Sequence, residues 1–395
     1  MDDISLMPLA GINNVAEDEA MKRGGDSARV YLRDAVNVDI TPAGRASVRA
    51  GERRVSTVRY RDVWQSPLHR DTFGTLDGQW VKIDPANWTH ETLATVGEGA
   101  GHVVLNSLVC VAGPAGLFTY DGSAAQRLTV ETPPAPLLTA GSGSLEPGTY
   151  GAALAWLRGT QESATSELAT VEVGASGALE VALPIWLDPA LTGARLYLTR
   201  QDGGELLRAG DWPAGTATIH LPLLPQLGAA AQFRHLSPMP TGRFLAQWRG
   251  RLLTARGNVL RWSEALAYHL HDERHGFVQM PQRITFVQPV DAGVWVGQVD
   301  HVAFLRGSTP DEFSVEKKGG RAPVLGSAIL VSPDALGADL TSGGSEAAVW
   351  LADNGYVVGT AAGALVELQA GVLKGIAARA GTSVVFGRRL LTAVA

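Results

Sequence analysis

Short apolar runs, broken every few residues by Gly, Asp or Asn, recur along most of this chain. They are too short for helices and carry the period-2 or unbroken apolar texture of half-buried and fully buried strands. The pattern runs from about Arg45 to Thr129 and returns from about Met239 onward. Its first unit reads Asp71-Thr-Phe-Gly-Thr-Leu, a turn at Asp77-Gly78 and Gln79-Trp-Val-Lys-Ile; that dipeptide tolerates positive φ in a tight hairpin. A second unit reads as one strand from Val103 to Ala112, a turn over Gly113 to Gly116, Leu117-Phe-Thr-Tyr, a turn at Asp121-Gly122 and a last strand ending at Val130. Similar hairpins follow around Arg251 to Trp262, Gly293 to Leu305 and Ala348 to Leu368. With residues 131–238 set aside, they recur at roughly forty to fifty residues, the period of propeller blades. A barrel or sandwich built from hairpins is the competing architecture.

The segment set aside has its own punctuation. It opens with Thr132-Pro-Pro-Ala-Pro136 and closes near His235-Leu-Ser-Pro238, with Pro240 beyond, and proline cannot donate to a sheet ladder. Inside it, Gly148 to Leu157, Ala169 to Val173, Leu179 to Leu183, Ala194 to Arg200 and Ala217 to Leu221 read as strands, and six or seven short strands in roughly 100 residues are the dimensions of an immunoglobulin-like or fibronectin-type sandwich. Lacking a cysteine pair, the fibronectin type III version fits better. The expected organisation is all-β: an extended arm over 1–28, a β-propeller-like domain from 29–130 and 239–395, and an inserted sandwich over 131–238.

Composition sharpens this. The 395 residues suffice for two cores, and 46 Gly and 21 Pro with only 18% charged residues favour short strands and many turns. A net charge of −6 argues against a whole-molecule grip on nucleic acid. Cys110 is the single cysteine, in the run Val109-Cys110-Val111, where it reads as a small buried hydrophobe. The opening Met-Asp-Asp-Ile-Ser lacks the basic start and apolar stretch of a signal peptide, so synthesis in a cytoplasm without export by that route is expected.

Candidate chemistry is sparse. Tyr268 to His275 gathers three imidazoles and two carboxylates, yet lacks the helical His-Glu-x-x-His spacing of a zinc protease and reads as a loop between blades. Gly97-Glu-Gly-Ala-Gly101 lacks the Lys-Ser/Thr of a phosphate loop. Glycosidase carboxylates would have to be found among Asp71, Asp272, Glu273 and Asp300, which nothing in the sequence pairs. Trp186 and Trp212 are candidate platforms for sugar rings, whereas Trp80, Trp262, Trp295 and Trp350 lie in apolar runs and read as core. No catalytic residue, cofactor or metal site is expected. Arg45, Arg49, Arg53, Arg54, Arg59 and Arg61 form the densest basic run, suited either to subunit or channel contacts or to a charged, edge-protected strand pair.

The N-terminal residues Gly11-Ile-Asn-Asn-Val, Asp18-Glu-Ala, Leu32-Arg-Asp-Ala-Val-Asn-Val-Asp-Ile-Thr-Pro-Ala-Gly-Arg45 and Arg49-Ala-Gly51 resemble the opening of phage virion proteins, the tail-stabilisation or nozzle proteins and related minor tail proteins. The resemblance is strongest over about the first 55 residues. Looser matches are Trp295 to Phe304, Arg306 to Phe313 and Val349 to Gly355. It implies a structural, non-enzymatic propeller in which Ser47-Val-Arg or Val55-Ser-Thr-Val completes the blade formed by Ser383-Val-Val-Phe and Arg389 to Val394. It further implies a symmetric homo-oligomer in the virion tail that joins a connector or adaptor and tail tube to fibres and lets DNA pass without specific binding. The alternative is a tail-tip or baseplate protein that binds a host surface receptor or glycan.

Overall fold

The computed structural model describes residues 9–17, 30–41, 43–49, 51, 53–337, 340–341, 344–386 and 389–395. Of the expected arm over 1–28, all but 9–17 lies outside the described residues. The described chain is all-β and propeller-like, with helical geometry confined to single turns such as Pro310–Glu312 and Pro333–Leu336. Five four-stranded antiparallel sheets, here blades I to V, begin at Arg61, Gly101, Arg243, Ile284 and Ile329. In each, the strands are paired in chain order. The first strands Gly101–Leu105, Arg243–Trp248 and Ile284–Val290 lie side by side, so the first strand of a blade is its innermost.

Hydrophobic burial explains why these strands read as unbroken apolar runs. Successive residues of a strand point to opposite faces, and here both faces are covered by a neighbouring blade. Val109 and Val111 pack with Phe73 and Trp80 of blade I, while Cys110 and Ala112 pack with Leu245 and Leu252 of blade III. Val287 faces blade III; Phe286 faces Trp350 of blade V. Cys110 is fully buried, which pushes its thiol pKa well up, and it behaves as the small hydrophobe expected.

Two expectations are corrected. The run Val103 to Ala112 is a hairpin, Gly101–Leu105 paired with Leu108–Gly113, because Asn106 and Ser107 both adopt left-handed φ (45° and 63°) and reverse the chain. The N-terminal strand does not complete the last blade among the described residues. Ala46–Val48 pairs with Val38–Ile40, drawn together by a turn in which Arg45 N donates to Thr41 Oγ1 at 3.1 Å, and residues 55–58 lie outside strands. Among the described residues, Gly381–Phe386 and Arg389–Val394 pair only with each other, as a two-stranded ribbon whose Leu390 packs on blade V. The ends of the chain are joined another way: Asn14 N donates to Val372 O, Asn14 Nδ2 donates to Lys374 O, Lys374 N donates to Asn14 Oδ1, and Arg389 pairs with Asp39 at 3.0 Å.

Between blades II and III the chain forms two further sheets. Leu137–Leu145, Gly177–Ala182 and Thr218–Leu221 make one; Gly148–Arg158, Gln161–Glu162, Ala169–Val173, Gly193–Leu198 and Leu207–Pro213 make the other. They share one core around Tyr150, Leu154, Leu179, Val181 and Leu196. Arg158 Nη2 donates to Leu128 O at 3.0 Å, and His269 Nε2 donates to Glu162 O at 2.9 Å, fastening these sheets to blades II and III.

Candidate functional site

A cavity of about 730 Å³ lies at the end of the molecule where the innermost strands begin. Every blade contributes to its wall: Arg61 and Asp62 open blade I, Gly99 precedes blade II, Arg243 opens blade III, Ile284 opens blade IV and Leu325 precedes blade V. Such a site is axial by topology.

Asp62 organises one side of it. The pairing of Arg61–Gln65 with Thr72–Leu76 skips register between Arg61 and Trp64, and Asp62 sits in the bulge with φ 49°, a conformation a short polar side chain tolerates. From there Asp62 Oδ2 accepts from Thr75 Oγ1 at 2.8 Å, Gly99 N at 3.1 Å and Ala100 N at 3.0 Å. The Gly-rich segment 97–101 therefore does present amides to an anion, and that anion is the carboxylate of the chain's own Asp62. Gly97 and Gly99 have φ of 84° and 79°, which explains the residue type. Sequence reading missed Asp62; an isolated Asp beside six arginines carries no signal that it will sit in a bulge.

Behind Asp62, His102 is walled in by aromatic rings. It stacks on Trp64 with ring centroids 5.3 Å apart, and its Nε2 accepts the indole N–H of Trp80 at 3.1 Å. Burial pushes its pKa down to about 4, against a partial pull upward from the Asp62 charge. A protonated Nε2 would also face the Trp80 donor. Since the folded-state pKa is depressed, the stability His102 contributes is whole above about pH 6.5 and is lost as pH falls toward 4, up to about 3 kcal/mol. Urea unfolding at pH 7 and pH 4.5 is expected to show this loss, and His102→Gln to flatten it; an equal loss in both proteins would refute the assignment.

Of the six arginines in the basic run, Arg61 alone lines the cavity, paired with Glu98 at 2.7 Å. Arg45, Arg49, Arg53, Arg54 and Arg59 are exposed on the N-terminal segment; Arg54 folds back onto the carbonyls of Ser56 and Thr57. The other cavity arginines, Arg243, Arg256 and Arg283, come from a strand start, a strand end and an inter-blade loop far along the chain. Among the described residues, none of these three has an ion-pair partner.

The remaining sequence candidates diverge. His269 and His271 are buried on separate carbonyls, Glu162 O and Trp262 O, with burial lowering both pKa values, while His275 is exposed. No group of three or more His, Cys, Asp or Glu among the described residues is placed to hold a metal ion. Asp71 pairs with Lys82, Asp272 with Arg274 and Asp300 with His301; Asp71, Asp272 and Asp300 line three different cavities, and Glu273 is exposed. Trp186 and Trp212 are half-buried rather than exposed platforms: Trp186 packs on Trp156 and donates to Thr216 O at 3.0 Å, and Trp212 packs on the core between the two sheets.

No family model matches this chain, and no curated protein does. Solved structures that resemble it include BBS1N in complex with ARL6DN, 13% identical over 86% of this chain and 91% of that one with a TM-score of 0.32. Apo AztD from Citrobacter koseri is 10% identical over 80% and 88%, with a TM-score of 0.28. The AfRom2 CNH domain is 10% identical over 76% and 93%, with a TM-score of 0.20. Likenesses this distant carry no argument about the role of the chain.

Proposed function

We propose that the chain is a non-enzymatic assembly protein, a structural part of a bacteriophage tail that works as a symmetric homo-oligomer. The observation that carries the assembly reading is the terminal ribbon. One face packs on blade V, where Ser383 Oγ donates to Ser327 O at 2.6 Å and Tyr356 donates to Thr392 Oγ1 at 2.9 Å. The other face presents Val384, Phe386 and Leu391, and Phe386 is 72% exposed. A two-stranded ribbon with an uncovered apolar face, standing beside four-stranded blades, suits a second copy of the chain as cover. The placement in a tail, as a nozzle, hub or adaptor-proximal ring that links tail parts and lets DNA pass, is supported by the resemblance of the first 55 residues.

Within the same reading, the two sheets between Leu137 and Leu221 are a fibronectin-type III-like sandwich. Gly148–Arg158 pairs with both Ala169–Val173 and Gly193–Leu198, and the latter with Leu207–Pro213, an order that follows the C′-C-F-G sheet of that fold. Leu137–Leu145 beside Gly177–Ala182 corresponds to its B-E pair. The departure is at the edge, where Thr218–Leu221 lies outside the E-like strand and no A-like strand pairs with Leu137–Leu145 among the described residues. Receptor or glycan recognition is the weaker reading, since Trp186 and Trp212 are engaged in packing.

Mass photometry of the purified chain, alone and mixed with connector and tail proteins from the same genome, tests the proposal. A ring of defined size is expected, and Phe386→Asp together with Val384→Asp should convert it to monomer without changing far-UV circular dichroism. A wild-type chain that stays monomeric in both settings overturns the reading.

A further inference from the structure

The axial cavity has a charge imbalance that its own chain does not satisfy. Its wall holds Arg61, Arg243, Arg256 and Arg283 against the carboxylates of Asp62 and Glu98. Glu98 is taken by Arg61, and the Asp62 carboxylate, held through Oδ2 by one hydroxyl and two amide donors, is ion-paired with none of the other three arginines among the described residues. Three guanidinium groups thus converge on one space with no acidic partner among the described residues, in a chain whose net charge is −6. Arg243 is held in place by its surroundings. Its guanidinium lies 5.7 Å over the Phe244 ring, and a Cβ at Gly99 would meet its Nη2 at 3.5 Å. Ile284, Leu325 and Pro114 supply apolar wall between the charges.

From this geometry we infer that the axial cavity is a binding site for a multiply charged phosphate ligand. A lone carboxylate would neutralise one of the three arginines, whereas linked phosphoryl groups offer two to four negative charges and several acceptor oxygens to planar guanidinium forks. The volume falls in the range of small-ligand sites, roughly 300–1,000 Å³. Convergence of Arg61, Arg243, Arg256 and Arg283 requires the blades to be assembled, so the site exists only in the folded protein. The inference stands apart from the tail reading, because it rests on the cavity of a single chain and not on the terminal ribbon. Free polyphosphate and the backbone of a nucleic-acid strand share this chemistry.

Calorimetric titration with inorganic tripolyphosphate at low ionic strength tests it, run on the wild type, on Arg243→Gln with Arg283→Gln, and on Arg53→Gln with Arg59→Gln. The last pair removes the same charge from the exposed N-terminal segment. Binding is expected in the wild type, weakened about tenfold or more in the cavity pair and changed less than about threefold in the surface pair. No binding in the wild type, or equal weakening in both pairs, overturns the inference. A fluorescein-labelled thymidine oligonucleotide distinguishes the sources: anisotropy that rises with protein and is competed away by tripolyphosphate supports a nucleic-acid strand, and binding of tripolyphosphate alone supports free polyphosphate. Thermal unfolding of the variants is expected to match the wild type, because Arg243 and Arg283 are exposed.

Discussion

Trp295→Ala is expected to cost about 3–5 kcal/mol of unfolding free energy, the range for deleting a fully buried tryptophan side chain. Trp295 is 0% exposed in blade IV, with ring centroids 4.8 Å from Phe304 and 5.7 Å from Trp350. Its indole N–H donates to Thr360 O of blade V at 3.0 Å. Trp80 of blade I and Trp248 of blade III make the same kind of bond to the next blade, to His102 Nε2 and to Val290 O. These indoles fill the space between sheets and also fix the rotation of one against the next. Trp295→Phe keeps most of the ring and loses the donor, so a smaller cost of about 1–3 kcal/mol is expected. Gly359→Ala should destabilise as well, because its Cβ would lie 2.5 Å from the indole. Urea denaturation followed by circular dichroism measures all three; a cost below about 1 kcal/mol for Trp295→Ala would show that the brace between blades IV and V lies elsewhere.

The second large effect is expected at Asp62. Removing its carboxylate in Asp62→Ala leaves Thr75 Oγ1 and the amides of Gly99 and Ala100 without their acceptor, at a cost of about 2–4 kcal/mol. Asp62→Asn retains a carbonyl oxygen at the same place and is expected to lose about half as much. Hydrogen exchange gives the site-specific check: the Gly99 and Ala100 amides should exchange faster in Asp62→Ala while amides of blades IV and V keep their protection. Uniform acceleration would mean that Asp62 supports the whole fold and not this one loop.

Much of the architecture was legible in the sequence because the physics involved is local. The Asp77-Gly78 turn, the apolar runs around Trp295 and Trp350 and the prolines near 133 and 238 each announce themselves within a few residues. The hairpin at Asn106-Ser107 was missed because apolar residues flank it on both sides and neither dipeptide position is glycine. The axial site was legible only at Arg61. Its partners Arg243, Arg256 and Arg283 stand singly at strand ends and in a loop between blades, and their convergence is a property of how blades stack, which no window of sequence contains. The cluster Tyr268 to His275, dense in sequence, disperses in space because turns interrupt it, leaving His269 and His271 on separate backbone carbonyls and His275 exposed.

The clamp between Asn14 and Lys374 also sets a timetable. Its two members are separated by 360 positions, so at roughly 5–20 residues per second a ribosome needs on the order of 20 to 70 s after making Asn14 before Lys374 exists. Each blade from I onward gains its neighbour as synthesis proceeds, but Asn14 must stay in a nascent chain without its final partners Val372 and Lys374 for nearly the whole of translation.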